Sequence, residues 1–196
     1  MYKRQLQEEI EFGQAMVYMG TLSMLVIFGL MAIAFKSYWQ PLLVLTAVPF
    51  GLMGAIFGHW LLGWQVSMFS IMGVIACAGV VVNDNLVLID RINNLKGEGV
   101  PLEDALLQGA QDRFRPIILT SLTTFVGLLP IMMETSVQAQ FLIPMVTSLA
   151  FGVLFATGVT LVLVPALYLM GEDMSKLIRK TADRFKRIPS GVAADI

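Results

Sequence analysis

The chain contains very few of the residues from which chemical sites are usually built. It has one cysteine, Cys77, and one histidine, His59, in 196 residues. A single cysteine excludes an internal disulfide and a thiol cluster for zinc or iron–sulfur, and a single histidine excludes a site with several histidine ligands. The sequence also has no glycine-rich phosphate loop and no nucleophile–base pair. We therefore do not expect an enzyme or a protein with a resident cofactor.

Charged residues are also scarce, at 14% of the chain, whereas an average soluble domain has about 25%. The hydrophobic fraction is 57% and the mean hydropathy is +0.76. This composition indicates an integral membrane protein that is surrounded by lipids. The formal net charge is −1, so the chain as a whole has no basic bias and a nucleic-acid partner is not predicted.

Five apolar stretches are long enough to cross a bilayer, which requires about 20 mostly apolar residues. The sequence therefore predicts an all-α integral membrane fold. We expect a polar lead-in at 1–14, a five-span bundle at 15–170 and a basic tail at 171–196. The predicted spans are 15–35, 41–62, 67–90, 116–133 and 141–170.

Lysine and arginine are distributed unequally between the connections. All but two of the 13 lie at 36–40, at 91–115 or in the tail, and the remaining two are Lys3 and Arg4. Because basic residues accumulate on the cytoplasmic side, we predict a cytoplasmic C-terminus and an N-terminus on the opposite side. An N-terminus on the outer side of the membrane without a signal peptide suggests that an upstream segment is missing.

The feature that most favours a function is a carboxylate inside the third predicted span. Asp84 lies between Asn83 and Asn85 in the apolar run 79–90. A charge at bilayer depth costs about 2.5–3.5 kcal/mol on the mildest insertion scales, so such side chains usually line an ion pathway or pair with a partner. We expect Asp84 to load and release a proton. The alternative is a structural carboxylate that the two asparagines hydrogen-bond.

Other polar residues lie at the start of the fourth predicted span. Its hydroxyl residues are Thr120, Ser121, Thr123 and Thr124. Such hydroxyls either bond their own helix backbone or hydrogen-bond to a neighbour such as Asp84. Arg113 precedes this span and is long enough to reach inwards to a carboxylate, whereas His59 is expected at the membrane interface.

Small residues gather in the second and third predicted spans. They let helix backbones approach closely in lipid, and they indicate a bundle of several spans rather than a mechanism. The glycines predicted to lie at helix contacts are Gly51, Gly54, Gly58, Gly73 and Gly79.

Several motifs together resemble the last five spans of resistance-nodulation-division (RND) efflux permeases. In chain order they are 35–41 (FKSYWQP), 48–55 (VPFGLMGA), 79–90 (GVVVNDNLVLID), 113–121 (RFRPIILTS) and 164–168 (VPALY). The resemblance covers nearly the whole chain. It implies spans eight to twelve, which form half of a pseudo-symmetric bundle in the bacterial inner membrane.

The resemblance also implies an activity and partners. RND permeases of the hydrophobe/amphiphile multidrug type export drugs or other amphiphiles in exchange for protons, so the proton is the coupling ion. They usually form trimers, often with a periplasmic adaptor and an outer-membrane channel, and they have an N-terminal half that this chain lacks. By matched position, Thr120 and Arg113 resemble residues of the family's proton relay, which Asp84 and Asn83 would complete.

One position departs from the family pattern. Many drug-efflux members have a lysine where this chain has Asn83, and metal-exporting members often have a glutamate near this place. The lack of that glutamate favours drugs over heavy metals. Two other functions stay open: a non-transporting membrane scaffold or partner subunit, and an RND relative that moves lipids or proteins.

Overall fold

The structure of the chain is a computed structural model, and every regular element in its described residues is an α-helix. It describes the backbone of residues 2–186 and the side chains of Gln7, Glu8 and 10–172. The helices are α1 Tyr2–Phe35, α2 Trp39–Leu45, α3 Val48–Leu62, α4 Met68–Gly97, α5 Leu102–Met132 and α6 Val137–Lys186. The predicted all-α fold is confirmed.

Five helical segments are long and apolar enough to cross a membrane, as predicted. They are Ile10–Phe35, Trp39–Leu62, Met68–Gly97, Leu102–Met132 and Val137–Glu172. The second segment consists of α2 and α3, which a turn at Thr46 and Ala47 separates. Pro49 lies in the first turn of α3 and has no amide hydrogen to donate to the carbonyl of Leu45. The helix is therefore interrupted at this point.

The predicted lead-in and tail are continuous with helices. α1 already begins at Tyr2, and α6 runs past Glu172 to Lys186. The rest of the predicted basic tail, residues 187–196, lies outside the described residues, as do the side chains after Glu172. The placement of these end segments relative to a membrane stays a prediction.

The connection predicted at 91–115 is different in the structure. α4 continues to Gly97, and α5 begins directly after Pro101 and runs through Pro116 without a break. Only a short turn joins them, in which Gly99 has a φ of 88°, a left-handed conformation that glycine adopts without strain. The charged residues of this stretch therefore belong to the helices α4 and α5, which pack against each other as a helical hairpin.

α6 lies at the centre of the described fold because α3, α4 and α5 all pack against it. One apolar cluster surrounds Leu88, Ile92 and Val164, and a second surrounds Cys77 and Val153. In lipid, close packing rather than the exclusion of water holds such helices together. α6 is therefore the element that positions the others.

Glycines on α3 allow it to approach α6. A Cβ atom at Gly54 would lie 2.5 Å from the Cβ of Phe155. One at Gly58 would lie 2.5 Å from the Cγ of Phe151. Both distances are too short for any side chain, so the α3–α6 interface depends on these two glycines.

The other three predicted contact glycines are not equivalent. A Cβ atom at Gly73 would overlap the carbonyl oxygen of Met145, and one at Gly51 would lie 3.0 Å from the Sγ of Cys77. Gly79 is exposed, and a Cβ atom there would meet nothing within 4 Å. No described helix packs against Gly79, so its predicted helix contact stays a prediction.

Candidate functional site

Three consecutive polar residues near the middle of α4 are progressively more buried within the helix bundle. Asn83 is exposed, Asp84 is half-buried and Asn85 is buried at 2% exposure. Successive residues of an α-helix point about 100° apart, so one side chain faces outwards, one lies at the edge and one faces the interior. The position of Asp84 at this edge leaves it reachable from outside the bundle.

Two atoms of this group are buried without a hydrogen-bond partner among the described residues. They are the Oδ2 atom of Asp84 and the Nδ2 atom of Asn85. An unpaired polar atom in a membrane interior is costly, so each of these two atoms has a hydrogen-bonding need that the described residues do not meet. The carboxylate and the amide both have unused hydrogen-bonding capacity.

Arg113 lies on α5, and the structure leaves its charge without an acid partner among the described side chains. The residue is half-buried, and its Nε atom is buried without a hydrogen bond. The nearby acid, Asp112, instead accepts bonds from both Nε and Nη2 of Arg91 at 2.8 Å. Arg91 thus ties α4 to α5, and the guanidinium of Arg113 is free to bind another group.

The four hydroxyl residues of α5 divide into two kinds. Thr120 is exposed and donates to the carbonyl of Ile117 at 2.9 Å, and Thr123 and Thr124 also bond their own helix. Ser121 is buried at 2% exposure, and its hydroxyl lies 2.7 Å from that of Thr157 on α6. Ser121 is therefore the one of the four that bonds a neighbouring helix.

The predicted relay residues do not bond one another. Among the residues with described side chains, no hydrogen bond or ion pair joins Asp84 to Asn83, Arg113 or Thr120. Sequence reasoning passed over Thr157 and Thr160, which are both buried at 3% exposure on α6. Two threonines three residues apart in an apolar span were the available signal, since they share a helix face.

His59, which the sequence predicts at the membrane interface, lies in the last turn of α3 and is buried among other helices at 3% exposure, and its depth in a membrane stays a prediction. Its Nδ1 atom lies 2.9 Å from the carbonyl oxygen of Ala55, which only accepts, so Nδ1–H donates. The Ser70 hydroxyl then donates to Nε2, at 2.8 Å. Ser70 also belongs to the capping box of α4 with Ser67. His59 thus ties the end of α3 to the start of α4.

A network that we call the polar clamp joins α2, α4 and α6 at the other end of α4. The Tyr168 hydroxyl donates to Oδ1 of Asn93 at 2.9 Å, and Gln40 and Asn93 exchange amide bonds of 3.0 and 2.9 Å. Lys96 donates to the Tyr168 hydroxyl and pairs with Glu172, both at 3.3 Å. α4 is therefore anchored by polar bonds near both of its ends.

The described part of the chain contains charges without partners and no arranged cluster of metal-ligand side chains. No group of three or more His, Cys, Asp and Glu residues within it is arranged to hold a metal ion. Asp84 and Arg113 supply a carboxylate and a cation that no described group neutralises. A carboxylate in an apolar span is typical of ion or substrate pathways in membrane proteins.

Curated relatives are much longer than this chain. It is 35% identical over 147 residues to the cobalt-zinc-cadmium resistance protein CzcA of Cupriavidus metallidurans, which is 75% of this chain and 14% of that protein. It is 36% identical over 148 residues to Protein HelA of Legionella pneumophila, again 75% of this chain and 14% of that protein.

Solved structures that resemble the chain are likewise much longer than it. The crystal structure of a heavy metal efflux pump in its crystal form II has a TM-score of 0.70 and 31% identity, and covers 78% of this chain and 15% of that chain. Crystal form I gives 0.66 and 28%, over 88% of this chain and 16% of that chain. The model of the AcrB/AcrD/AcrF family matches residues 1–172. The chain therefore belongs to this family, which is part of the RND efflux permeases.

Proposed function

We propose that this chain forms the C-terminal transmembrane part of a proton-driven RND exporter of divalent metal cations. The observation that carries the proposal is Asp84, a carboxylate in an apolar span with one buried oxygen that no described residue satisfies. Carboxylates in such positions serve as proton carriers in pumps and transporters. Arg113 would act as a tuning charge, Thr120 as a relay hydroxyl and Asn83 as the polar neighbour of Asp84.

The choice of substrate rests on the relatives. The names of CzcA and of the heavy metal efflux pump both refer to metals. The sequence alone favoured drugs or other amphiphiles, because no glutamate stands near Asn83. That position belongs to the proposed proton site, however, and proton coupling does not determine which substrate is selected. We therefore give the metal relatives more weight than the missing glutamate.

The proposed setting follows from the same family. The exporter would lie in the bacterial inner membrane with the C-terminus in the cytoplasm and work as a trimer. A periplasmic adaptor and an outer-membrane channel would complete the export route. The chain spans only 14% of the length of the curated relatives, so these partners would bind mainly to other parts of the transporter.

The central test is the substitution Asp84→Asn in the complete transporter. Inside-out membrane vesicles would be energised, and zinc uptake would be followed together with the collapse of the proton gradient. We expect both rates to fall by about tenfold or more, because the amide has no proton to release. Asp90→Asn is the matched control: this carboxylate lies on the same helix but is exposed and accepts a bond from Asn94.

The result that would contradict the proposal is coupled transport that survives Asp84→Asn. If substitutions at Asn83 and Thr120 were also tolerated, the scaffold or partner-subunit function would be favoured. The substrate is tested separately by comparing zinc and cobalt with a cationic amphiphilic dye. Transport of the dye without transport of metal would restore the drug type that the sequence favoured.

A further inference from the structure

α4 and α6 run side by side in one constant register. Three contacts along the pair join residues with the same separation in sequence, which is 75 positions. They are Gly73 with Ser148, Cys77 with Gly152 and Asn93 with Tyr168. Two parallel helices rise equally per residue, so every pair with this separation between Gly73 and Asn93 lies at the same height.

This register places Asn85 level with Thr160. Both residues are buried, at 2% and 3% exposure. The Nδ2 atom of Asn85 has no acceptor among the described residues. The hydroxyl of Thr160 makes only a long bond of 3.4 Å to the carbonyl of Thr157, and its oxygen can still accept. A donor without an acceptor on α4 is therefore level with a hydroxyl on α6 that can accept, although the structure shows no hydrogen bond between the two.

A hydrogen bond between α6 and α5 lies close to this height. Ser121 of α5 and Thr157 of α6 are joined at 2.7 Å and lie one turn from Thr160. We call Asn85, Ser121, Thr157 and Thr160 the polar layer. It lies between apolar residues of the two core clusters. A buried polar layer is tolerated in lipid when its members bond one another, and each bond then favours one arrangement of the helices.

We propose that Asn85 is a positioning residue that bonds the Thr160 hydroxyl and thereby sets the rotation of α4 about its axis. Neighbouring residues point about 100° apart, so turning Asn85 towards α6 leaves Asp84 at the edge of the bundle. A single buried asparagine specifies register in coiled coils for the same reason, because other arrangements leave its amide unpaired. The consequence for transport rests on the proposed role of Asp84, whereas the pairing itself does not.

The pairing is tested by cross-linking in native membranes. In a Cys77→Ala background, Asn85→Cys is combined with Thr160→Cys, and oxidation is followed after cleavage at a protease site inserted at Glu134–Ser136. We expect a disulfide that keeps the two halves together. Asn85→Cys with Val164→Cys, one turn further along α6, is the negative control. Native Cys77 with Gly152→Cys is the positive control, since these positions are in contact.

A cross-link at Asn85 and Thr160 that forms no faster than the Val164 control would overturn the pairing. The positioning role has its own test, in which Asn85→Leu and Thr160→Val are compared with the exchange variant Asn85→Thr/Thr160→Asn. We expect each single change to slow transport by about tenfold with little change in melting temperature, and the exchange to restore transport to within about twofold. Asn94→Leu, at an exposed position of α4, should leave both readouts unchanged.

If the single changes lower the melting temperature together with transport and the exchange restores neither, Asn85 has a structural role only. The two proposals fail in different ways. If Asp84→Asn leaves proton-coupled transport intact while the Asn85–Thr160 cross-link forms, the proposed function is wrong and the pairing stands. If the cross-link fails while Asp84→Asn abolishes transport, the inference about Asn85 is wrong and the function stands.

Discussion

Single residues of this chain take their environment from the helix face they occupy rather than from their chemical type. Asn83 and Asn85 are the same amino acid two positions apart, yet one is exposed and the other buried. Thr120 and Ser121 are chemically similar neighbours, yet only Ser121 bonds another helix. In a span that is apolar all round, the sequence gives no amphipathic pattern from which to decide which face turns inwards.

A matched pair of substitutions separates the two hydroxyls of α5. Ser121→Ala should lower the free energy of unfolding by about 0.5–1.5 kcal/mol, the usual range for a hydrogen bond between membrane helices. Thr120→Ala should change it by less than about 0.5 kcal/mol, because that hydroxyl bonds only its own backbone. Unfolding by denaturing detergent measures both. A larger loss at Thr120 than at Ser121 would contradict the observed contacts.

The transport rates of the same two variants should differ in the opposite sense to their stabilities. If Thr120 belongs to the proton relay, Thr120→Ala should slow proton-coupled transport even though its stability is unchanged. Ser121→Ala should affect transport less than stability. Equal transport rates in Thr120→Ala and the unmodified protein would remove Thr120 from the proposed relay.

At the scale of the helices, close contact depends on where a glycine leaves the backbone without a side chain. α3 meets α6 through Gly54 and Gly58, whereas Gly79 on α4 faces open space. A glycine in a membrane helix thus indicates close packing only when another helix lies on the side that the glycine faces. A single sequence does not show on which side the neighbouring helices lie. The charged stretch 91–115 presents a similar difficulty, because charges indicate where the membrane ends and not where the helix ends.

Substituting these glycines tests the helix contacts directly. Gly54→Leu should destabilise the fold by at least about 1–3 kcal/mol, the usual cost of overpacking, because its Cβ alone would lie 2.5 Å from the Cβ of Phe155. Gly79→Leu introduces the same side chain on α4 and should be tolerated. Melting temperatures in detergent would distinguish them, and an equal loss at the two positions would contradict the α3–α6 interface.

At the scale of the whole molecule, packing among the described residues is concentrated around α6 and is sparse at α1. In the most apolar window of the first span only 6% of residues are buried, and on the fourth span only 11%, whereas the second reaches 44%. The number of spans was predictable because lipid forces a spanning chain into long apolar helices. The hydrogen bond between His59 and Ser70 was not predictable, because only the tertiary fold brings these two residues together.

Truncations of leucine should reveal this uneven distribution. Leu88 is fully buried, and Leu88→Ala should cost about 2–5 kcal/mol. Leu25 on α1 is 64% exposed, and Leu25→Ala should change the stability by less than about 0.5 kcal/mol. Detergent unfolding curves of the two variants would show the contrast. A comparable loss at Leu25 would mean that α1 packs against a surface outside the described residues.

The constant register of α4 and α6 also limits how these two helices are able to move. Gly73, Cys77 and Asn93 each meet a partner at the same separation, so a small slide of one helix along the other would disturb all three contacts together. The next arrangement in which ridges and grooves fit again is a whole turn away, about 5.4 Å. We therefore expect the two helices to move together as one unit, or to shift by a whole turn, rather than to slide continuously past each other.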